Sequence, residues 1–413
     1  MRESVRKLFI LSRTMNNPEQ SHYLISNYAP PSLEIVRGKG SYLWDSSGNK
    51  FLDFTSGIAV SNIGHGHEHW INSINEQVTE LVHCSNLFSI PQQVRLAKRL
   101  VNKIGPGKML FCNSGAEANE ALIKFARLVG NQNPSLKKYK LIVAENAFHG
   151  RTMGALSATS SPKYRDGFEP LLDGFSFAPF NDLSAFEEKI DDQTVGVMVE
   201  SIQGEGGIRV ADDKFLQGLE HICREKGILL MLDEVQAGIG RTGEFLGYQK
   251  SGVKPDAIAM AKGLGGGFPI GGVWLSDQWA DIFQPGSHGT TFGGSPLACC
   301  AGNAVLDVLE QDNLILAARE KGEFLEAELH KLKNQYPSII KEVRGRGLML
   351  ALVMSAPPSE LIAQFRQNGM LVVGAAENVV RFLPPLTVSK EELSEAMEKT
   401  SISLKSFYQE SEK

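Results

Sequence analysis

Ile228-Leu229-Leu230-Met231-Leu232-Asp233 is a run of five aliphatic residues that stops on a carboxylate. So short an apolar run without alternation predicts a strand covered on both faces, because a half-exposed strand would alternate and a helix would need a longer pattern. The same grammar recurs on either side. Met109 to Cys112 leads through Asn113-Ser114-Gly115 into a helical pattern from Ala116 to Leu128, and Leu141 to Ala144 leads into Asn146 to Thr152. Val195 to Val199 ends on Glu200, and Ala257 to Ala261 ends on Lys262. Buried strands alternating with helices predict an α/β fold, with a mostly parallel sheet lying between two layers of helix. Ligands of such sheets sit beyond the carboxyl ends of the strands, which directs attention to Ser114, Glu200, Asp233 and Lys262.

The last third of the chain changes character. Gly302 to Tyr336 reads as one long amphipathic helix; Val343 to Val353, Leu371 to Val373 and Val380 to Phe382 read as short strands, and Ser389 to Phe407 as a final helix. That pattern predicts a smaller α+β domain. Leu43 to Phe54, turning at Asp45-Ser46-Ser47-Gly48-Asn49, reads as a hairpin that joins it. The expected division is residues 1–64 as an N-terminal arm and part of the small domain, 65–305 as the large domain, and 306–413 as the C-terminal small domain.

Composition narrows the function classes. With 413 residues, 42% hydrophobic and 22% charged, the chain has ordinary globular make-up. Its 42 basic residues against 47 acidic leave no surplus with which to neutralise a nucleic acid. Apolar runs fall far short of the roughly 20 residues that span a bilayer, so no membrane partner is expected. Cys84, Cys112, Cys223, Cys299 and Cys300 form no C-x-x-C pair and are odd in number, which fits a reducing compartment such as the cytoplasm. Met1 to Arg13 carries Arg2, Arg6, Lys7 and Arg13 around a short apolar centre. It reads as a surface arm or a misplaced start before Met15; were it a transit peptide, the destination would be a mitochondrial or plastid matrix.

Gly263-Leu264-Gly265-Gly266-Gly267-Phe268 lacks the last glycine of G-x-G-x-x-G, and no G-x-x-x-x-G-K-[ST] occurs. A different anion site is offered at Asn113-Ser114-Gly115-Ala116, where a strand stops and a helix begins, although the same serine would serve as an ordinary N-cap. Asp233 needs a cationic or protonated partner in the core, which a structural ion pair would also provide. Lys262, at the end of an apolar strand, would have its charged form disfavoured and its nucleophilicity raised, as Schiff-base chemistry requires. An anion site, a buried aspartate and a desolvated lysine are the parts of a pyridoxal 5'-phosphate site: a phosphate anchor, a partner for the pyridine nitrogen, and an amine for the aldehyde.

The stretches Asn113 to Glu120, Phe148-His149-Gly150-Arg151-Thr152, Gln203-Gly204-Glu205-Gly206-Gly207, Asp233-Glu234-Val235-Gln236, Ala261-Lys262-Gly263 and Gly289-Thr290-Thr291-Phe292-Gly293-Gly294 resemble the class III (ω-) aminotransferases of fold type I. The resemblance runs from about Pro30 nearly to the C-terminus. It implies a large domain with a seven-stranded-type sheet plus the smaller domain. Position by position, it implies that Ser114, Gly115 and Ala116 hold the phosphate, Phe148 stacks on the ring, and Asp233 pairs with the ring nitrogen. Val235 and Gln236 would also contact the cofactor, and Lys262 would carry it and move the proton. Thr291 would reach the cofactor phosphate of a second subunit, which implies a homodimer with shared sites. Arg151, Thr290 and Arg381 match substrate positions, Arg381 being the arginine that holds the α-carboxylate of glutamate or 2-oxoglutarate.

Within the family, Phe51-Leu52-Asp53-Phe54, Gly57-Ile58-Ala59-Val60, Val343 to Met349 and Val380-Arg381-Phe382-Leu383-Pro384-Pro385 are most similar to the acetylornithine branch. That implies transfer of the δ-amino group of acetylornithine to 2-oxoglutarate, giving N-acetylglutamate 5-semialdehyde and glutamate, a step of arginine biosynthesis. Glu205 would mask Arg381 for the ω-amine donor and swing away for glutamate; a static salt bridge is the simpler alternative. Ile58 stands where ornithine enzymes place a tyrosine, which argues against free ornithine without choosing among other donors. Ser201 and Ser295 depart from the family's proline and asparagine.

Other donors stay open, namely succinylornithine, succinyldiaminopimelate, ornithine and 4-aminobutyrate. So does a pyridoxal-phosphate aminomutase or racemase, which would not consume 2-oxoglutarate, and, more remotely, a silent binding protein on the same fold. Gly64-His65-Gly66-His67-Glu68-His69 is not H-E-x-x-H, and no metal is expected there. Cys299-Cys300 reads as a pair of buried small hydrophobes.

Overall fold

The apolar runs become one seven-stranded sheet in a computed structural model that describes residues 23–133, 135–376 and 378–411. Its strand order is Gly107–Cys112, Gly271–Ser276, Ala257–Met260, Leu229–Asp233, Thr194–Glu200, Lys140–Ala144 and Phe175–Ala178. Six strands run parallel; Gly271–Ser276 is antiparallel to both of its neighbours. Every residue of Thr194–Glu200 and of Leu229–Asp233 is buried, which is why their sequences show no alternation. Helices Gly115–Gly130 and Asp213–Lys226 pack on the sheet.

Because the parallel strands share a direction, their polar last residues gather at one edge. Asp233 is paired in register with Glu200 on the next strand, and the segment leading into Gly271 returns to the same edge. A Cβ on Gly271 would lie 2.3 Å from the Ser114 carbonyl oxygen, so glycine lets these two loops touch.

Two smaller sheets flank this one. The hairpin Tyr42–Asp45 and Lys50–Asp53, with Ile35–Lys39 on one side, is joined by Met370–Leu371 on the other. Asp45 fastens its turn by accepting from the N–H groups of Ser47 (3.0 Å) and Asn49 (2.8 Å). The second sheet orders Ile340–Arg346, Met349–Met354, Val379–Phe382 and Val373–Ala375, and puts Arg381 between Ala351 and Val373.

Three expectations are corrected. Leu371 to Val373 is not one strand but straddles two, Met370–Leu371 in the first flanking sheet and Val373–Ala375 in the second. Gly302 to Tyr336 is not one helix but parts of two, Pro296–Gln311 and Leu314–Gln335, separated where Asn313 takes φ +49°. Asparagine tolerates that left-handed conformation, and the apolar spacing resumes beyond it, so periodicity reads straight through the break. Val343 to Val353 is likewise not one strand but parts of the antiparallel pair Ile340–Arg346 and Met349–Met354, which reverses at Gly347 with φ +57°.

The histidines of the Gly64 to His69 segment turn to separate carboxylates: His65 to Asp53 at 2.8 Å, His69 to Asp307 at 3.1 Å and His67 to Asp312 at 3.9 Å. Cys299 and Cys300 are buried. Among the described residues no helix is long and apolar enough to cross a membrane. The Met1 to Arg13 arm and Met15 lie outside the described residues.

Candidate active site

A cleft of about 430 Å³ opens where the strand ends gather. At its floor the Asp233 carboxylate is 4% exposed and held on both oxygens. Oδ2 accepts from Asn119 Nδ2 at 2.7 Å and lies 2.7 Å from His149 Nδ1, while Oδ1 accepts from the Val235 N–H at 2.9 Å. His149 Nε2 is buried with no protein partner, so Asp233 is the ring's one polar tether among the described residues. Those bonds fix the carboxylate's direction in a low-dielectric setting, where its charge acts most strongly on whatever enters the cleft.

Beside it, Glu200 accepts from the Phe148 N–H at 3.1 Å and the Gly204 N–H at 3.4 Å. Burial, then the neighbouring Asp233 carboxylate, push the Glu200 carboxyl well above the usual carboxylate range.

One wall is the start of the helix Gly115–Gly130. Ser114 caps it, its side chain accepting from the Glu117 N–H at 3.2 Å, and Glu117 reaches back to the Asn113 N–H at 2.6 Å. The N-cap expected of Ser114 is thus present. Among the described residues the first N–H groups of Gly115 and Ala116 have no protein acceptor, and both residues line the cleft, where the helix dipole favours an anion. A Cβ on Gly115 would strike Val235 Cγ1 at 2.6 Å, so only glycine lets this turn close over the site.

Lys262 lies opposite, just past the buried strand Ala257–Met260. Its backbone takes φ +47°, a conformation that costs a residue with a side chain on the order of 1–3 kcal/mol and is typical of functional positions. Burial lowers the amine to about 8, partly opposed by the negative charge of Glu205. An amine in that range has an appreciable neutral, nucleophilic fraction near neutral pH.

At the upper end Glu205 and Arg381 form a two-toothed pair, with Nη1–Oε1 at 2.5 Å and Nη2–Oε2 at 3.3 Å. Burial pushes the Glu205 carboxyl up, but the charge of Arg381 and its hydrogen bonds outweigh burial and hold the acid below its ordinary range. Arg381 is fixed in place: its side chain is 2% exposed, and it also donates to the carbonyls of Gly204 (3.2 Å) and Gly374 (2.9 Å) and to Gln236 Oε1 (3.3 Å). Glu205 is looser, its side chain 21% exposed.

Of the predicted site residues, the cleft gathers Ser114, Gly115, Ala116, Phe148, Arg151, Glu205, Asp233, Val235, Gln236 and Lys262, with Arg381 behind Glu205. Arg151 stacks on the ring of Tyr164 at 4.0 Å, and Tyr164 meets Phe148 edge to face. Besides Arg381, three predicted residues lie outside the lining. Ile58 is 37% exposed on a left-handed loop tied down by Asp53, and Val60 lines the cleft from that loop instead. Thr290 accepts from Asn113 Nδ2 at 3.2 Å behind the site, and Thr291 is exposed.

Sequence reasoning gave no role to Asn119 or His149, although both stood in the quoted motifs. Asn119 did carry a signal, an amide on a helix face otherwise formed by Ala118, Ala121, Leu122 and Phe125, all buried. A polar group in that company must have a partner.

A family model described as aminotransferase class-III matches residues 23–404. The acetylornithine aminotransferase of Caldanaerobacter subterraneus subsp. tengcongensis is 44% identical over 380 residues, 92% of this chain and 96% of its own. That of Aquifex aeolicus is 46% identical over 376 residues, 91% of this chain and 98% of its own. Among solved structures, the ornithine aminotransferase of Toxoplasma gondii superposes with TM-score 0.92 at 31% identity, covering 99% of each chain. The acetylornithine aminotransferase of Elizabethkingia anophelis does so with TM-score 0.83 at 30% identity, covering 94% of this chain and 97% of its own.

Proposed function

The chain belongs to the class-III aminotransferase family, and from that premise we propose that it moves the δ-amino group of acetylornithine to 2-oxoglutarate, yielding N-acetylglutamate 5-semialdehyde and glutamate. The family is pyridoxal-phosphate-dependent, and the donor set of the cleft fits that cofactor: unpaired N–H groups at a helix start, an aromatic face, a fixed carboxylate and a desolvated amine. Bound pyridoxal phosphate supplies the electron sink for the carbon that bears the transferred amine.

The residues divide the remaining work. Ser114 and the N–H groups of Gly115 and Ala116 would hold the phosphate, Phe148 and Val235 would give apolar surface for the ring, and Gln236 would stand near its hydroxyl. Asp233, aimed by Asn119 and His149, would hold the proton on the ring nitrogen. Lys262 would carry the cofactor, and its Nζ, once displaced by the incoming amine and in neutral form, would take the proton from the amine-bearing carbon and deliver it to the cofactor. Arg151 would receive the carboxylate at the far end of the substrate, and Thr290, outside the cleft of its own chain, is given a substrate contact by the resemblance alone. Thr291, exposed in its own chain, serves the cofactor of a second subunit, so the working unit is a homodimer. The odd, unmotifed cysteine set supports a cytoplasmic setting.

One observation carries the two-substrate reading, the Glu205–Arg381 pair. An ω-amine donor brings no carboxylate on its reacting carbon, so the closed pair presents it with a neutralised wall. Glutamate brings one, which takes the place of Glu205 on Arg381. The choice of acetylornithine is supported by Ile58, which offers no hydroxyl to a free α-amine, and by the similar enzymes of Caldanaerobacter and Aquifex.

The test is a comparison of kcat/KM for acetylornithine, ornithine, succinylornithine, succinyldiaminopimelate and 4-aminobutyrate, with 2-oxoglutarate as acceptor. Acetylornithine should be preferred. A higher value for any other donor reassigns the substrate, and turnover without consumption of 2-oxoglutarate identifies an aminomutase or racemase.

A further inference from the structure

Glu205 borders two cavities. One is the cleft; the other, of about 320 Å³, is lined by Asn146, Ser161, Lys163, Tyr164 and Gly374–Ala376 without Lys262, and shares Phe148 as a wall with the cleft. If the Glu205–Arg381 pair opens, Arg381 cannot be the part that moves, because three further acceptors hold it in the core. The Glu205 backbone is also fixed, since its carbonyl accepts from the Ala376 N–H at 3.2 Å. Only the Glu205 side chain is left to rotate. It cannot rotate into the cleft, because the incoming carboxylate of glutamate must occupy the face of Arg381 that it vacates.

A carboxylate leaving a buried guanidinium must find another partner or bear the cost of an uncompensated charge. The second cavity offers one. Lys163 is the only cationic residue of its lining, is exposed, and forms no ion pair among the described residues. Ser161, Tyr164 and Asn146 add hydroxyl and amide donors around the same space.

We propose that this second cavity receives the Glu205 carboxylate when glutamate binds, and that Lys163 is the cation that stabilises it there. The proposal rests on the two-substrate reading of the Glu205–Arg381 pair. It makes Lys163 a specificity residue for one half of the reaction alone: a partner for the open state, absent from the closed state that acetylornithine meets.

The experiment uses the holoenzyme with Lys163→Met and Lys163→Glu, alone and on a Glu205→Ala background. It reads single-turnover rates with acetylornithine and with glutamate, and the dissociation constant of the unreactive dicarboxylate glutarate by calorimetry. Lys163→Met should weaken glutarate binding and raise the glutamate half-saturation concentration by about two- to fivefold, the range of a solvent-exposed ion pair. Lys163→Glu should do so by roughly tenfold, as attraction turns to repulsion. Acetylornithine turnover should hold, and on the Glu205→Ala background the Lys163 effects should vanish.

Equal losses with both donors, or effects that persist without Glu205, overturn the proposal. If Glu205→Ala shifts the balance between donors while the Lys163 variants are silent, the parking site fails and the two-substrate reading stands. If Glu205→Ala leaves that balance untouched, both fail.

Discussion

Glu200 and Asp233 sit side by side on neighbouring parallel strands, in register and both buried, and burial together with the Asp233 carboxylate pushes the Glu200 carboxyl well above the usual carboxylate range. Asp233 is the member of the pair whose direction Asn119 and His149 fix. Glu200→Gln should keep activity within about threefold, since its amide oxygen can still accept from the Phe148 N–H and only the longer 3.4 Å bond from the Gly204 N–H, which goes to the other oxygen, is given up. Asp233→Asn should keep some cofactor but lose turnover by a factor on the order of 10² or more, because the ring proton is no longer held. Turnover numbers and cofactor content of the two variants check the contrast; equal losses would assign both carboxyls the same role.

Asn119→Ala removes the 2.7 Å bond to Asp233 Oδ2 and a second 2.7 Å bond to the His149 carbonyl. Hydrogen bonds to a charged group contribute about 1.5–3 kcal/mol, so the variant should release pyridoxal phosphate at least about tenfold more readily. Equilibrium dialysis against free cofactor measures this.

Lys262 gives a pH signature. Its amine is lowered to about 8, so cofactor uptake by the cofactor-free protein should climb with pH and level off above about 8, where an ordinary lysine would still be rising at 10. Stability follows the same sign. A lysine whose folded value lies below its unfolded value of 10.5 is costly to charge in the fold, so the penalty is full below about pH 8 and fades as pH rises towards 10.5. In urea titrations of the cofactor-free chain, Lys262→Met should be about 1–3 kcal/mol more stable than the parent at pH 7, with the gap closing near pH 10.5.

Arg381→Ala should cut the glutamate half-reaction by a factor on the order of 10² while sparing acetylornithine more, since only glutamate places a carboxylate against that guanidinium. Stopped-flow half-reactions with each donor give the comparison, and equal losses would contradict the role given to Glu205.

How much of this was legible in the sequence depends on range. Asp233, Glu200, Lys262 and Ser114 could be found because each ends an uninterrupted apolar run, and a strand buried on both faces leaves that mark in a few consecutive residues. The break at Asn313 and the reversal at Gly347 were missed because a single residue of unusual φ interrupts neither pattern. The clamp of Asn119 and His149 on Asp233 joins residues 114 and 84 positions away, and no local pattern encodes that meeting. The second cavity beside Glu205 is assembled from segments near 146, 163, 206 and 375, so only the folded chain reveals it. Thr291 and Ile58 lie outside the cleft of their own chain, and the resemblance alone assigns their roles.

The central claim is that the Lys262 amine carries the cofactor in a cleft where Asp233 faces the ring nitrogen. Borohydride reduction of the purified holoenzyme, followed by proteolysis and mass spectrometry, tests it most directly. The account predicts a pyridoxal-phosphate adduct on the peptide that contains Lys262 and its absence in Lys262→Ala. An unmodified Lys262, or an adduct fixed to another lysine, would contradict it.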